Sequence, residues 1–383
     1  MQRLDFDIDV FLRDYWQKKP LLIRNPWANW VNPLEPDDLA GLACESGVES
    51  RLITCTSERW ALEHGPVDET RFGQLGRKPW TMLVQAVDHY VADVAALVAP
   101  FRFVPNWRID DVMVSYATDG GGVGPHFDQY DVFLVQGLGR RRWQVGAPCD
   151  DSTPLLPHDH LRLLANFEPT QEWILEPGDI LYVPPRVPHD GVAIGDDCMT
   201  YSIGFRAPSR QELIADWCDH LAEELRDEDR YADPDLRAQD NPGEIMPDAI
   251  DRLHAMVTQA VADRDAFARW FGAYNSTPRY PDADWRPEQP VTTEDARAWL
   301  GAGTPLYRNP ASRFSFIRQD GDGLLLFVDG ECHECTGDLA AFAARLCARE
   351  QLPVDPGLAR SDSVPALVAT LLNQGSVTFE PED

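Results

Sequence analysis

Residues 120–146 read GGGVGPHFDQYDVFLVQGLGRRRWQVG, a run of glycines followed by alternating apolar and polar residues. The alternation and the branched and aromatic side chains are typical of β-strands, and the glycines allow the backbone to turn tightly into them. His126 and Asp128 stand two residues apart in this stretch. Because residues i and i+2 of a strand point to the same face, the pair is predicted to reach one metal ion together.

A second stretch, LEPGDILYVPPRVPHDGVA (175–193), contains His189 after three prolines that restrict the backbone. Two His and one carboxylate hold one side of a metal and leave the opposite positions open to a co-substrate and O2, as in non-haem Fe(II) oxygenases. Although a single H-x-D pair is often accidental, the strand-like context favours a real site. We therefore predict that His126, Asp128 and His189 bind Fe(II) and are the catalytic residues.

Short apolar runs bounded by Gly, Pro and Asp surround both segments and predict further strands. These runs lie at 109–117, 131–137, 141–146, 179–185 and 199–206. After Pro208 the pattern becomes helical, because Ser209 and Glu212 form a capping-box signature ahead of apolar residues at four-residue spacing. A second helical pattern is predicted from near Asp248 to Phe271.

A proline-rich segment (276–290) separates these helices from a C-terminal module. In this module the pattern predicts helices at 292–300, 337–350 and 364–375 and strands at 312–319, 324–330 and 376–381. Elements in this order resemble a winged helix. The motif CHEC (332–335) lacks the second Cys or His pair that a zinc site needs, so we predict a turn with two free thiols.

The charge of the chain constrains its partners. The 383 residues carry a formal net charge of -29, which repels phosphate backbones, so direct DNA binding is not expected. Residues 278–383 carry about two acidic residues for each basic one, which argues against nucleic-acid binding by the winged helix. The charge would attract a basic protein, and it equally fits a role in solubility alone.

The sequence also bears on location. Acidic residues stand near the N-terminus, where a signal peptide needs basic ones, and no run approaches the roughly 18 apolar residues of a membrane span. Eight scattered cysteines do not suggest a disulfide framework. We expect a cytoplasmic protein that does not contact membranes.

Six motifs together resemble the JmjC-type ribosomal oxygenases of the cupin superfamily, specifically the bacterial branch that hydroxylates arginine. The motifs are YWQKKPLLIR (15–24), PDDLAGLACESGVESRL (36–52), WRIDDVMVS (107–115), residues 120–146, LEPGDILYVPP (175–185) and YSIGFRAP (201–208). The resemblance implies an α+β fold with three parts. They are a double-stranded β-helix (JmjC/cupin) catalytic core at 1–207, a helical dimerisation region at 208–277 and a winged-helix module at 278–383. The spacing of Trp217 and Leu221 is compatible with packing in an internal core and with packing at a dimer interface.

The resemblance also implies that 2-oxoglutarate and O2 are co-substrates. Family members bind the far carboxylate of 2-oxoglutarate with a basic residue fifteen positions after the first metal His, which here is Arg141. Arginine suits this task because its guanidinium can donate two parallel hydrogen bonds to a carboxylate. Hydroxyl groups of Ser115, Thr200 or Ser202 are further candidates for co-substrate binding.

The substrate implied by the resemblance is an arginine, hydroxylated at Cβ, in a basic ribosomal protein, the sixteenth of the large subunit. An arginyl substrate needs polar or acidic groups at the mouth of the site, and Asp119 and Tyr130 are the candidates. A histidyl hydroxylase or a lysine demethylase of the same fold would share the metal chemistry. A metal-binding cupin that acts as a non-catalytic adaptor is an alternative from another class.

Overall fold

The computed structural model describes residues 4–56, 59–76 and 78–379. The chain divides into two compact units. The first consists of the described parts of Met1–Ala207, Arg279–Ser312 and Arg349–Asp383, and the second of Pro208–Pro278 and Arg313–Ala348. The domain boundaries at 207/208 and 277/278 stay a prediction.

The described part of Met1–Ala207 combines short helices with a large sheet. Its helices are α1 (Ile8–Asp14), α2 (Pro36–Cys44), α3 (Glu69–Leu75) and α4 (Ala92–Ala95). Its strands are β1 (Leu21–Ile23), β2 (Ser50–Thr56), β3 (Arg59–His64), β4 (Trp80–Val84), β5 (Ile109–Ala117), β6 (Asp131–Gly146), β7 (Pro169–Leu175), β8 (Ile180–Val183) and β9 (His189–Phe205).

The strands pair in the order β1-β8-β6-β9-β5-β4-β2-β3, with β7 also on β6. All pairings are antiparallel, as expected for the double-stranded β-helix core that the resemblance implies. The predicted strand at 109–117 is confirmed as β5. The separate strands predicted at 131–137 and 141–146 are wrong, because they are the two halves of β6.

A local irregularity explains why β6 continues through its glycines. The register against β9 shifts between Gln136 and Leu138 and again between Leu138 and Arg140. Gly139 adopts φ +59°, a conformation that favours glycine. The strand therefore bends without ending, and its second half pairs with β7 as well as with β9.

The two faces of the sheet are packed differently. One face is covered by helices and forms a large apolar core that includes Phe11, Leu39, Phe133 and Tyr182. On the other face Val132, Leu134, Trp143, Val145, Leu181 and Val183 form a smaller cluster without helical residues. Alternate residues of β6 thus belong to two different cores, as the two-residue period of a strand requires.

The remaining elements follow in chain order. They are α5 (Arg210–Glu224), α6 (Pro247–Val261), α7 (Arg264–Ser276), α8 (Thr293–Ala302), β10 (Leu306–Arg308), β11 (Phe314–Arg318), β12 (Leu324–Val328), β13 (Glu331–Cys335), α9 (Gly337–Ala348), β14 (Gln351–Leu352), α10 (Ser363–Gln374) and β15 (Val377–Thr378). In the first unit β14-β10-β15 form a small sheet beside α8 and α10. The predicted final strand is shorter than 376–381, and its residues 380 and 381 lie outside the described residues.

The second unit contains α5, α6, α7, α9 and the antiparallel sheet β11-β12-β13. Trp217 on α5 is buried and packs its ring 5.2 Å from that of Trp270 on α7, so it belongs to the core of this unit. The prediction of a turn at 332–335 is wrong, because these residues lie on β13 and pair with β12. All eight cysteines are free thiols.

The single helix predicted from Asp248 to Phe271 is also wrong, because the chain forms two helices there. The break lies at Asp263, whose carboxylate accepts hydrogen bonds from the backbone N–H groups of Asp265 and Ala266. A side chain that caps a helix in this way favours a new start over continuation. No helix within the described ranges combines the length and apolar character needed to cross a membrane.

Candidate metal centre

The three predicted metal ligands come together on two neighbouring segments. His189 is the first residue of β9, and His126 forms an isolated antiparallel bridge with it. The prediction that His126 and Asp128 lie on a strand is wrong, because β6 begins only at Asp131. The carbonyl of Asp128 instead accepts a hydrogen bond from the Arg186 N–H at 2.7 Å, which holds the segment in an irregular path.

The side chains of the three residues converge. One ligand atom from each of His126, Asp128 and His189 lies within 4.8 Å of the other two, and they form the only such group of three or more His, Cys, Asp or Glu residues among those described. His189 Nε2 is 3.6 Å from Asp128 Oδ2. This set of donors matches the two-His, one-carboxylate arrangement that holds iron and leaves coordination positions open.

Backbone contacts orient both imidazoles. His126 Nδ1 lies 2.8 Å from the Gly124 carbonyl, and His189 Nδ1 lies 3.1 Å from the Val187 carbonyl. Each Nδ1 can therefore carry the proton and donate it to a carbonyl, which leaves Nε2 as the metal-binding atom. Such contacts fix the tautomer of metal-binding histidines.

Burial keeps His189 neutral. The residue is 3% exposed, and its burial, together with the neighbouring His126, lowers the pKa of His189 to about 4. A neutral imidazole is the form that binds a metal, so His189 is ready to do so at neutral pH without first losing a proton.

The glycine-rich turn ahead of His126 is needed for close approach. Gly124 has φ +81°, and a Cβ there would come within 2.8 Å of Leu163 Cδ2 and 2.9 Å of Trp60 Cζ2. This confirms the interpretation that glycine lets the chain turn tightly before the metal ligands.

Arg141 is a buried cation with unused donors. It is 2% exposed, and its Nη1 donates to the Gly191 carbonyl at 3.3 Å. Its Nε and Nη2 have no hydrogen-bond partner among the described residues. Because a buried charge is costly unless it is paired, this guanidinium fits the carboxylate of a bound anion. Arg140 is exposed and Arg142 half-buried, as the predicted alternation requires.

The three hydroxyl candidates share the sheet face of Arg141. Arg141 pairs with Ala193, and Ala193 packs against Ala117 and Cys198, so these residues lie on one face. Two positions further along, Ser115 pairs with Thr200, so both lie on the same face. Ser202, which pairs with Leu134, continues that face after two more residues. Ser115 donates to the Thr200 carbonyl at 3.4 Å.

Sequence reasoning missed Gln136, which holds one of these hydroxyls. Its Oε1 accepts from the Thr200 hydroxyl at 3.2 Å, and its amide nitrogen donates to the Leu138 carbonyl at 2.7 Å. The side chain is fully buried. A signal was present, because Gln136 continues the alternation of Val132 and Leu134 with a polar residue.

The two substrate candidates differ in their surroundings. Tyr130 is 43% exposed, yet burial of its hydroxyl and the nearby Asp128 carboxylate raise the pKa of Tyr130. A protonated hydroxyl is thus maintained beside the metal ligands. Asp119 is exposed, and its carboxylate accepts a hydrogen bond from the Gly195 N–H at 2.7 Å, so it stabilises a turn.

Three models of known protein families match parts of the chain. The JmjC domain matches residues 96–213, and the ROXA-like winged helix matches residues 259–378. A further model, of the AraC-like ligand binding domain, matches residues 169–269. The first match contains all three metal-ligand candidates, and the second contains β10–β14 and α8–α10.

Individual relatives extend the likeness to the full chain. The ribosomal protein uL16 3-hydroxylase of Escherichia coli is 38% identical over 97% of both chains, and a probable ribosomal oxygenase of Haemophilus influenzae is 39% identical over 69% of this chain and 66% of its own. The structure of the E. coli ribosomal oxygenase YcfD with cobalt and 2-oxoglutarate matches with a TM-score of 0.88 at 36% identity, covering 100% of both chains. The chain therefore belongs to the JmjC-type ribosomal oxygenases.

Proposed function

We propose that this oxygenase hydroxylates Cβ of an arginine in ribosomal protein uL16. As a member of its family, the chain is an iron(II)- and 2-oxoglutarate-dependent dioxygenase. The observation that carries the assignment is a metal-binding group of two His and one Asp. The unpaired nitrogens of Arg141 provide independent support, because they fit the carboxylate of the co-substrate.

Each residue has a distinct role in this proposal. His126, Asp128 and His189 hold the iron, and Arg141 binds the far carboxylate of 2-oxoglutarate, which sets the direction of the co-substrate. Bound iron couples the oxidative decarboxylation of 2-oxoglutarate to succinate and CO2 with hydroxylation of a C–H bond by O2. Ser115, Thr200 and Ser202 line the same face, where Gln136 orients the Thr200 hydroxyl.

The substrate proposal rests on charge and on a relative of known substrate. E. coli uL16 3-hydroxylase acts on uL16, as its name states, and a net charge of -29 favours a basic partner of that kind. Tyr130 is the first substrate candidate: its hydroxyl hydrogen-bonds to Asp128, and its oxygen can accept a hydrogen bond from a substrate N–H. Asp119 offers a carboxylate to the substrate guanidinium, although it also holds Gly195.

The test combines turnover with product identification. The purified protein with Fe(II), 2-oxoglutarate and a uL16 fragment should form succinate and add one oxygen to an arginine, as measured by mass spectrometry. His126→Ala should abolish both. A fragment in which that arginine is replaced by lysine is the matched substrate control. Unchanged turnover in His126→Ala would contradict the assignment.

The same assay separates the alternatives. Oxygen added to a histidine indicates a histidyl hydroxylase, and loss of a methyl group from lysine indicates a demethylase. A protein that binds the metal without forming succinate behaves as a cupin adaptor. Each of these results would replace arginine hydroxylation as the function.

The proposal includes a homodimer formed through the second unit. Helix α6 buries none of its residues, and Ile250, Leu253, Val257 and Val261 form an exposed apolar stripe along it. A row of exposed apolar side chains along a surface helix is typical of a protein interface. The proposed partners are thus a second copy and a basic ribosomal protein in the cytoplasm, with no direct contact to DNA or membranes.

A further inference from the structure

The indole of Trp143 neighbours both a metal-ligand candidate and the candidate for binding the 2-oxoglutarate carboxylate. Its ring centroid is 5.8 Å from that of His189, and the Arg141 Cζ lies 5.7 Å from the same indole centroid. Trp143 is 5% exposed and belongs to the small apolar cluster on this face of the sheet. One buried side chain thus contacts both the metal-binding and the carboxylate-binding residues.

Packing alone orients this indole. The Trp143 Nε1 is buried and has no acceptor among the described residues, so no hydrogen bond within them fixes the ring. The far edge of the ring faces Gly191, its direct register partner on β9. A Cβ on Gly191 would lie 2.6 Å from Cη2 and Cζ3 and 2.8 Å from Cε3 of the indole. The ring thus occupies the space that a side chain at residue 191 would fill.

Gly191 also acts directly on the co-substrate site. Its carbonyl accepts the hydrogen bond of Arg141 Nη1 at 3.3 Å, and it lies two residues after His189 on the same strand. Any shift of Gly191 away from the ring would therefore move the acceptor of Arg141 and the strand that carries His189. Gly191 does not have a positive φ, so alanine would be strained by the ring and not by the backbone.

We propose that Trp143 and Gly191 form a positioning pair that holds His189 and Arg141 at a fixed separation for the metal and 2-oxoglutarate. This inference rests on the proposed function, because it takes those two residues as metal and carboxylate ligands. Trp143 acts through its neighbours, and the absence of a side chain at Gly191 leaves room for its ring.

A double-mutant cycle tests the pair. Gly191→Ala should raise the KM for 2-oxoglutarate and the Kd for Mn(II) about tenfold each, because overpacking a buried site displaces its neighbours. In the double variant Gly191→Ala/Trp143→Leu the added methyl group has room. The fold increase in each constant over the wild type should therefore be well below the product of the fold increases in the two single variants. If Trp143→Leu does not fold, Trp143→Phe serves the same purpose, because its shorter ring withdraws from residue 191.

A matched control comes from the second unit. A Cβ on Gly272 would lie 2.3 Å from the ring of Phe327, so Gly272→Ala introduces the same kind of clash in a unit that contains none of the proposed site residues. This variant should lower the melting temperature and leave the KM for 2-oxoglutarate and the Mn(II) Kd within twofold of the wild type. Equal changes in both alanine variants would show a general loss of stability and would overturn the positioning role.

A metal-binding measurement distinguishes failure of the positioning pair from failure of the proposed function. Mn(II) binding, followed by electron paramagnetic resonance without turnover, should depend on His126 if the metal assignment is right. If it does, and Gly191→Ala leaves both constants unchanged or the single effects simply multiply, only the positioning pair is wrong. If wild type and His126→Ala bind Mn(II) equally, the proposed function itself fails.

Discussion

His126 and His189 lie side by side, with ring centroids 4.4 Å apart and two reciprocal backbone hydrogen bonds between them. His126 N–H donates to the His189 carbonyl at 3.1 Å, and His189 N–H donates to the His126 carbonyl at 2.8 Å. The backbone thus sets the separation of two proposed metal ligands. A site built in this way is formed before the metal arrives.

A preformed site predicts that loss of one imidazole removes metal binding without unfolding the protein. His126→Ala should abolish the rise in melting temperature that Mn(II) produces in the wild type, while the metal-free melting temperature changes little. Differential scanning fluorimetry with and without Mn(II) measures both values. His64→Ala, which changes an exposed imidazole on β3, should keep the full response. A metal response in His126→Ala equal to that of the wild type would refute the ligand assignment.

Arg141→Gln should raise the KM for 2-oxoglutarate about 10- to 100-fold, because a charged hydrogen-bond donor contributes roughly 1.5–3 kcal/mol. Succinate formation at varied 2-oxoglutarate concentration gives this value. Arg140→Gln is the matched control, since Arg140 is the exposed neighbour on the opposite face of β6 and should leave the KM unchanged. Equal values in the two variants would mean that another residue binds the carboxylate.

Asp131→Asn should lower the free energy of unfolding by about 3 kcal/mol, because it removes one partner of a buried ion pair. The Asp131 carboxylate is fully buried, accepts from the Tyr182 hydroxyl at 2.6 Å and lies 3.0 Å from Arg108 Nη2. Urea denaturation followed by circular dichroism measures the change. Asp14→Asn breaks an exposed pair with Arg13 and should have little effect. A similar loss in both variants would contradict the importance of burial.

Tyr130→Phe should separate substrate binding from co-substrate binding. If the Tyr130 hydroxyl contacts the ribosomal substrate, its removal should raise the KM for a uL16 fragment several-fold, since one hydrogen bond contributes about 1 kcal/mol. The KM for 2-oxoglutarate should stay at the wild-type value. Steady-state assays with each substrate varied in turn provide the comparison, and a change confined to 2-oxoglutarate would remove Tyr130 from the substrate site.

Leu253→Glu should convert a dimer into a monomer, because it places a charge in the apolar stripe of α6. Sedimentation equilibrium should give twice the chain mass of 43.1 kDa for the wild type and the single mass for the variant. Gln259→Glu adds the same charge on the opposite side of the helix and should remain dimeric. A wild-type protein that sediments as a monomer would exclude the proposed interface.

Much of the site followed from local sequence pattern. The two-residue period of a strand predicted that Arg141 and Trp143 share one side of β6 while Arg140 lies on the other, and their burial confirms it. The pattern failed where a local exception intervened. At Gly139 the backbone bends without ending the strand, so two predicted strands are one. At Asp263 a side-chain cap starts a new helix, so one predicted helix is two.

The sequence by itself determined which side chains can bind iron and a carboxylate, because donor chemistry belongs to each residue and strand alternation is local. Only the tertiary structure decided that His126 meets His189, and that Gly191 leaves room for the ring of Trp143. Both contacts join residues far apart in the chain. The Trp143–Gly191 contact depends on the register in which β6 and β9 pair, and the His126–His189 contact on where the segment before β6 meets the start of β9, and no local pattern encodes either.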